Sequence, residues 1–244
     1  EVCLITNIGM DHMNLLGDSL EEIAEEKAGI IKASIPVVIS ETNEITADVF
    51  IDKAVQEQAP ITFADQYITV KRIHKNPLLQ TLEIEKEGEV FCYDLDLTGS
   101  YQTKNIVGVL AVVDQLRAYG FALSEEQLRE ALAHVQMLTG LQGRWQTLSS
   151  DPLIICDTGH NEDGIKEVIK NINEIPYKNL HIVIGAMKDK DLDHMLPYLP
   201  KDAIYYFSNP DMTRAMDAAE LAEKASFVGL TGKVSGTVLQ AFAD

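Results

Sequence analysis

The sequence predicts an α/β protein with two parallel-sheet domains, and three observations lead to that prediction. Near both ends of the chain, short apolar segments alternate with amphipathic ones, which is the strand–helix rhythm of a parallel sheet. Between residues 61 and 97 the pattern changes to alternating apolar and polar residues, which is typical of antiparallel strands. Two closely spaced glycines in TGLQGRW then indicate a linker. We therefore predict an α/β domain with an antiparallel β insertion over residues 1–145 and a doubly wound domain over residues 146–244.

The first domain begins with a strand, a helix and a strand. The segments VCLIT and PVVIS are short and apolar, which indicates buried strands. Between them Asp18 or Ser19 can cap a helix, because a glutamate follows three residues later, at the capping-box spacing. The helices predicted for this domain cover residues 18–31, 46–58 and 102–119 and a segment that starts at Ser124 with a second capping box.

The second domain repeats the alternation of strands and helices. Its predicted strands are LIIC, LHIVIGA and AIYYFS. Its predicted helices cover residues 164–173, 191–199, 215–226 and 234–243. Because the chain opens inside a predicted strand and ends on a helix without a closing strand, we expect it to be truncated at both ends.

The composition limits the classes of partner. Of the 244 residues, 46% are hydrophobic and 24% are charged, as in globular proteins. The net charge of −18 argues against nucleic acid or an anionic membrane surface as partner, although a local site can still bind a small anion. No apolar run approaches the roughly 20 residues that a membrane span needs. We therefore expect no nucleic-acid or membrane partner.

The three cysteines, Cys3, Cys92 and Cys156, are few and far apart. Cys3 and Cys156 lie within predicted strands, so we expect them to be buried free thiols rather than halves of a disulfide or ligands of zinc. Free thiols are typical of a reducing compartment, so the expected location is the cytoplasm.

Lys27 is the unusual residue of the first predicted helix, DSLEEIAEEKAGII. At about 100° per residue, the apolar side chains of this helix share an arc of roughly 120°: Leu20, Ile23, Ala24, Ile30 and Ile31. Lys27 falls in the middle of that arc. Its ammonium group can reach water along the aliphatic stem. If it stays buried instead, it must meet a carboxylate or phosphate, or react covalently as a neutral amine.

The segment TNIGMDH follows the first predicted strand directly and brings polar side chains to its end. In open parallel sheets, ligands bind beyond the carboxyl ends of the strands. His12, next to Asp11, is therefore a candidate metal ligand or general base. The alternative is a loop histidine that bonds to a neighbouring backbone group.

The segment LIICDTGHNEDG has the same organisation in the second domain. Asp157, His160 and Asn161 lie between an apolar strand and the start of a helix, where anions are favoured. This is the pattern of a binding site. The alternative is an aspartate that caps the helix, beside a histidine on the surface.

Two further motifs contain candidate ligand-binding residues. In GRWQ, Arg144 stands at the predicted linker, and its planar fork suits phosphate, although a linker arginine can simply be solvated. In GSYQTKN, Gln102 and Asn105 begin an apolar helix, where their amides can cap the helix or hydrogen-bond the edge of a base. The sequence contains no Walker phosphate loop, nucleophile elbow or dinucleotide fingerprint.

Taken as an ordered set, these motifs resemble a known family. The segment ITNIGMDHMNLLGDSLEEIAEEKAGIIK resembles the signature of the folylpolyglutamate synthase/dihydrofolate synthase family, within the Mur ligase superfamily. GSYQTKN, GRWQ, DTGHNEDG and GAMKDKD are similar to its later motifs, in the same order. The resemblance implies a Mur-ligase-type ATP-binding domain that is only partly present, followed by a Rossmann-like ligase domain.

The resemblance also implies an activity in folate biosynthesis and one-carbon metabolism. Members of the family use ATP to phosphorylate a carboxylate of the pteroate or folate, and the amine of glutamate then attacks the acyl phosphate. By resemblance, His12 is a Mg²⁺ ligand, and Lys27 is the lysine that carbon dioxide carbamylates. The carbamate turns a buried cation into an anion that Mg²⁺ can neutralise. The family is usually monomeric.

The remaining site residues are also assigned by resemblance. Asn105 corresponds to the asparagine that binds adenine. Arg144 and Asp157 correspond to residues that bind the phosphates and the ribose, respectively. His160 corresponds to the histidine near the phosphates and the incoming amino acid, and Asn161 adjoins it.

The chain departs from the family pattern in several places. The phosphate-binding loop, the carboxylate that completes the magnesium site and the closing motif are missing from these 244 residues. Tyr101 stands where the family often has histidine, and Glu162 where it often has proline. We therefore expect a fragment that does not turn over ATP by itself. The alternatives are a Mur-type peptide ligase of cell-wall synthesis and a non-catalytic nucleotide-binding module.

Overall fold

The computed structural model describes residues 1–10 and 16–244 of the chain. It is a mixed α/β structure, as the sequence predicts, and it divides into two compact units, Glu1–Asp157 and Thr158–Asp244. The expected domain boundary between residues 145 and 146 stays a prediction.

The first unit contains a parallel sheet whose strands are joined by helices. Its strands, in spatial order, are β1 (Cys3–Ile5), β2 (Val37–Ile39) and β3 (Ile61–Phe63). Helix α1 (Leu20–Ala28) precedes β2, and α2 (Ala47–Gln56) precedes β3. All three residues of β2 are buried, because β2 is the central strand and the core includes residues of both helices.

The predicted cap of α1 forms, although it uses both candidate residues. The side chain of Ser19 accepts a hydrogen bond from the backbone nitrogen of Glu22 at 3.2 Å. The carboxylate of Glu22 in turn accepts one from the backbone nitrogen of Asp18 at 2.7 Å. The reciprocal bond of the box therefore goes to the residue before the cap.

An antiparallel meander follows the parallel sheet, as predicted. It consists of β4 (Ile68–Lys75), β5 (Gln80–Lys86) and β6 (Glu89–Leu95), in that spatial order. Helix α3 (Gln102–Ala118) buries Ile106 and Leu110 in the same cluster as Leu82 and Ile84 of the meander. The start of the insertion was predicted too early, because Ile61–Phe63 pairs with β2 in the parallel sheet.

Two short helices and a hairpin complete the first unit. Helix α4 (Glu125–Ala133) has the predicted capping box between Ser124 and Gln127, and α5 (Val135–Thr139) follows it. Strand β7 (Gln146–Ser150) then pairs antiparallel with β8 (Leu153–Cys156). LIIC is a strand as predicted, but its partner QTLSS was not recognised as one, because polar residues outweigh its single leucine.

The second unit is built on a parallel sheet with the spatial order β11, β10, β9. Its strands are β9 (His181–Ile184), β10 (Ile204–Asn209) and β11 (Gly232–Thr237). Its helices are α6 (Glu162–Asn173), α7 (Leu192–Met195), α8 (Ala218–Phe227) and α9 (Val238–Ala243). The predicted helix 234–243 was therefore wrong in its first part, where the chain pairs with β10 and the helix starts only after the cap at Thr237.

The three cysteines are free, but only two of them are even half-buried. Cys3 and Cys156 have intermediate exposure, whereas Cys92 is exposed on the meander. Among the helices of residues 1–10 and 16–244, none combines the length and the apolar character that crossing a membrane requires.

Candidate functional site

The carboxyl end of β1 opens into a small cavity that Lys27 shares. The cavity has a volume of about 170 Å³, and its lining combines apolar side chains with three polar ones: Leu4, Ile5, Thr6, Asn7, Lys27 and Ile30. Thr6 and Asn7 are the residues that directly follow the strand. The sequence prediction that polar groups gather at this strand end is therefore consistent with the structure.

Lys27 projects from the buried side of α1, as predicted, in the last turn of the helix. The buried residues of the helix are Ile23, Ala24 and Ala28, and Lys27 is half-buried. Ile30, which was expected on the buried face, is 45% exposed, because the helix has already ended at Gly29. Among the described residues the Lys27 ammonium has no ion-pair partner, and its place in the last turn of α1 suits a cation.

His12, the predicted magnesium ligand, lies outside the described residues. Among the residues that the structure describes, no group of three or more histidine, cysteine, aspartate or glutamate side chains could hold a metal. The oxygen donors next to Lys27 are the side chains of Thr6 and Asn7. A carbamate on Lys27 would add one negative charge, shared by two oxygens, to this neutral set, and Mg²⁺ prefers hard oxygen ligands of that kind. Among the described residues, the donor set next to Lys27 therefore fits a magnesium ion when Lys27 is carbamylated.

Asp157 is the residue of the first unit on which separate segments converge. It follows β8 directly and is half-buried. Its Oδ2 accepts a hydrogen bond from the Tyr101 hydroxyl at 3.1 Å and another from the backbone nitrogen of Trp145 at 2.7 Å. Two donors on one oxygen restrict the rotation of the carboxylate, because turning it would break both bonds.

A tight turn in GRWQ aims the Trp145 N–H at Asp157. Gly143 has φ 69° and Trp145 has φ 51°, so both lie in the left-handed region. The Gly143 nitrogen donates to Gln146 Oε1 at 3.0 Å, which closes the turn. The Trp145 side chain is buried, whereas Arg144, predicted to bind phosphate, is exposed. The motif thus places a cation at the surface next to the residue that holds Asp157.

Asn105 lies in the first turn of α3, one turn after Tyr101. Its Nδ2 donates to Gln102 Oε1 at 2.9 Å, and Gln102 is buried. The two amides therefore bond to each other, and neither caps the helix. The Asn105 backbone nitrogen donates to the Tyr101 carbonyl at 3.2 Å. Through Tyr101, Asn105 is connected to Asp157.

In the second unit, His160 and Asn161 introduce α6. Asn161 is the N-cap, and its Oδ1 accepts from the Gly164 nitrogen at 2.8 Å. The exposed His160 has its Nδ1 3.0 Å from the Thr158 carbonyl. The chain packs tightly here, since a Cβ on Gly159 would lie 3.2 Å from the Gly164 backbone. The alternative of an aspartate cap is therefore wrong, because the asparagine performs that role.

A larger cavity lies near the carboxyl end of β9 in the second unit. Its volume is about 240 Å³, and its lining mixes both charges: Lys188, Lys190, Asp191, Leu192, Asp193, Met216, Glu220 and Lys224. Next to it, the hydrogen bond and the charge of Asp191 raise the pKa of His194.

In the first unit, burial and the neighbouring Asp157 charge raise the pKa of the Cys156 thiol, which keeps it protonated.

Three of the predicted site residues share neighbours in the first unit. Within the first unit, Asn105, Arg144 and Asp157 are all within one or two contacts of Tyr101 and Trp145. Sequence reasoning missed the roles of those two aromatic residues. The sequence indicated them through their position inside the motifs GSYQTKN and GRWQ, next to residues that were predicted as binding residues.

Comparison with known proteins gives two matches to family models. Residues 1–113 match the Mur ligase middle domain, and residues 143–244 match the glutamate ligase domain of Mur ligases. The two matches occur in the order that the motifs imply and leave only residues 114–142 between them.

Individual relatives point in the same direction. The chain is 29% identical over 234 residues to a dihydrofolate synthase/folylpolyglutamate synthase of Bacillus subtilis. This match covers 91% of this chain and 53% of that protein. It is 27% identical over 222 residues to the folylpolyglutamate synthase of Lacticaseibacillus casei, with coverages of 89% and 51%. The chain thus spans about half the length of these relatives.

A solved structure matches over nearly the whole chain. The folylpolyglutamate synthase of Mycobacterium tuberculosis, complexed with ADP and AMPPCP, superposes with a TM-score of 0.86 at 27% identity. The match covers 99% of this chain and 55% of that protein. The fold described above is therefore shared with that solved folylpolyglutamate synthase.

Proposed function

Because the chain belongs to the folylpolyglutamate synthase/dihydrofolate synthase family of the Mur ligase superfamily, we propose that it is part of an ADP-forming carboxylate–amine ligase. The proposed reaction adds glutamate to dihydropteroate or folate at the expense of ATP. The observation that carries the proposal is the ordered pair of Mur ligase domains, the second of which is a glutamate ligase domain.

We assign nucleotide binding to the first unit. Asn105 would recognise the adenine, Asp157 the ribose and Arg144 the phosphates. The Tyr101 hydroxyl and the Trp145 backbone nitrogen both bond to Asp157, and these two residues lie one helical turn before Asn105 and directly after Arg144, which supports the assignment. The M. tuberculosis relative, which was solved with ADP and AMPPCP, supports ATP as the nucleotide.

The proposed reaction has two steps. A carboxylate oxygen of the folate attacks the γ-phosphorus of ATP, the bond to the β,γ-bridging oxygen breaks, and ADP leaves. The glutamate amine then attacks the acyl carbon, phosphate leaves, and the amine loses a proton. His160 suits that proton transfer, because a neutral imidazole that donates from Nδ1 to the Thr158 carbonyl carries its lone pair on Nε2. Asn161 supports His160 by fixing the start of α6.

We further propose that Lys27 is carbamylated and that its carbamate, with His12, binds Mg²⁺. In that modification the neutral amine attacks the carbon of carbon dioxide, a C–N bond forms, and the nitrogen loses a proton. The half-buried position beside Thr6 and Asn7 supports the proposal. When bound, Mg²⁺ would offset the negative charge of the γ-phosphate.

The activity is tested on the full-length protein that contains these 244 residues. ADP release is measured with ATP, Mg²⁺ and glutamate against a panel of dihydropteroate, folates and a cell-wall peptide precursor. We expect release only with the pteroate or folate acids, and a product heavier by one glutamyl residue. Asp157→Asn should weaken nucleotide binding, whereas Asp211→Asn, a matched change of an exposed aspartate, should not.

Other outcomes would select the alternatives. ADP release that depends on the cell-wall precursor would indicate a peptide ligase. Nucleotide binding without turnover of any acid would indicate a binding module. Carbamylation is tested separately, by carbon-13 NMR under labelled carbon dioxide. The carbamate signal should vanish in Lys27→Ala and persist in Lys32→Ala, which removes an exposed lysine five residues along.

A further inference from the structure

Tyr101 stands at the start of α3, at a position where a side chain usually caps the helix. It is the N-cap residue of α3, but it makes no side-chain capping bond. Serine, threonine, aspartate and asparagine are preferred there, because their oxygens reach the first free N–H groups. The backbone compensates with bonds such as Gln102 nitrogen to the Gly99 carbonyl at 3.0 Å. Because the tyrosine side chain makes no capping bond here, we look for its function in a contact outside the helix.

The hydroxyl of Tyr101 crosses to a distant segment. It donates to Asp157 Oδ2 over a separation of 56 residues, at 3.1 Å. The same oxygen receives the Trp145 N–H at 2.7 Å, so the carboxylate is held from two directions. A hydrogen bond to an ionised acceptor is stronger than one between neutral groups.

Gly99 makes room for the Tyr101 ring. A Cβ on Gly99 would lie 2.8 Å from Cε1 of Tyr101 and 3.1 Å from Cβ of Trp145. The first distance is shorter than a Cβ contact allows, so any larger residue at position 99 would have to displace the Tyr101 ring. The ring is thus fixed by packing while its hydroxyl is fixed by Asp157.

We propose that Tyr101 is a positioning residue that sets the orientation of the Asp157 carboxylate toward the ribose hydroxyls of the nucleotide. This inference rests on the proposed function, which assigns the ribose to Asp157. Tyr101 also begins the helical turn that carries Asn105. The Tyr101 side chain acts on the ribose side alone, through its hydrogen bond to Asp157.

The test compares ADP with 3′-deoxy-ADP and 2′-deoxy-ADP. Dissociation constants are measured by calorimetry on the full-length wild type, Tyr101→Phe and Tyr119→Phe. The wild type should prefer ADP over at least one deoxy analogue. Tyr101→Phe should weaken ADP about tenfold, as expected for one hydrogen bond to a charged group, but should leave that analogue almost unchanged. Tyr119→Phe changes an exposed tyrosine at the other end of α3 and should alter neither.

The results of these measurements either support or contradict the positioning role of Tyr101. Equal weakening of ADP and of both analogues by Tyr101→Phe would reveal a purely structural role and overturn the inference, as would no change at all. Tyr101→His, which restores an N–H donor, should recover part of the preference for ADP. If the wild type binds no ADP, the proposed function fails as well, whereas a wild type that binds ADP and an unaffected Tyr101→Phe refute only the inference.

Discussion

The segment DTGHN is continuous in sequence, yet its two ends are held by different means. Asp157 belongs to the first unit, and its partners are Tyr101, 56 residues away, and Trp145, 12 residues away. Asn161 belongs to the second unit, and its partner is Gly164, three residues away. The comparison shows that a motif can contain one residue held by tertiary contacts and another held by its own helix.

This difference predicts unequal responses to mutation. Removing Asp157 should disturb three segments, because two donors lose a common acceptor. Removing Asn161 should disturb only the start of α6. The predictions below test this contrast, beginning with the largest effect.

Asp157→Ala should lower the free energy of unfolding by about 2–3 kcal/mol, because the Tyr101 hydroxyl and the Trp145 N–H both lose a charged acceptor. It should also abolish measurable ADP binding under the proposed function. Chemical denaturation and calorimetry measure the two effects. Asp157→Asn keeps an acceptor oxygen and should lose less stability; an equal loss in both variants would contradict the proposed role of the two hydrogen bonds.

Gly99→Ala should lower the free energy of unfolding by about 1–3 kcal/mol, because the new methyl group overlaps the Tyr101 ring and must displace it. Denaturation curves measure the change. The double variant Gly99→Ala/Tyr101→Ala removes the overlapping ring and should be less destabilised than the sum of the single variants. Simple additivity would mean that the two residues do not oppose each other.

Asn161→Ala should cost about 1 kcal/mol, the usual effect of losing an N-cap side chain. The effect should stay local, because the bond joins residues three apart. Amide hydrogen exchange in the first turn of α6 should therefore accelerate, while exchange at Trp145 should not change. Asn161→Ser keeps an oxygen that can cap the helix and serves as the control.

Asp191→Asn should lower the pKa of His194, since the Asp191 hydrogen bond is the main cause of its elevation. A pKa raised in the folded state stabilises the fold below the unfolded value of about 6.5, and that contribution disappears as the pH rises through the folded pKa. The stability difference between wild type and variant should thus be present in acid and vanish at alkaline pH. Proton NMR titration of His194 checks the shift, and an unchanged midpoint would contradict it.

Much of the fold follows from local patterns. The capping box at Ser124, the alternation of the meander and the apolar strands were all recognisable, because each depends on residues within a few positions. The failures involve pairing partners. Two strands, β7 and β11, form because each pairs with a neighbouring strand. The amino-acid composition of these two segments does not by itself indicate a strand.

The candidate site divides in the same way. Asn105, Arg144, Asp157 and His160 were selected because their motifs resemble those of a known family. Tyr101 was noticed only as a departure from that family, and Trp145 was passed over. Lys27 was placed at the centre of a buried arc, and in the structure it projects from that side of the helix. It is only half-buried, because the helix ends at Gly29 and the neighbouring Ile30 is exposed.

The sequence by itself determined the α/β class, the family and the helix starts, because side-chain periodicity and capping act over distances of three or four residues. Only the tertiary structure decided that Tyr101, Trp145 and Asp157 form one hydrogen-bonded group and that the Tyr101 ring lies against Gly99. Those contacts join segments tens of residues apart, and their geometry exists only once the strands and helices have packed.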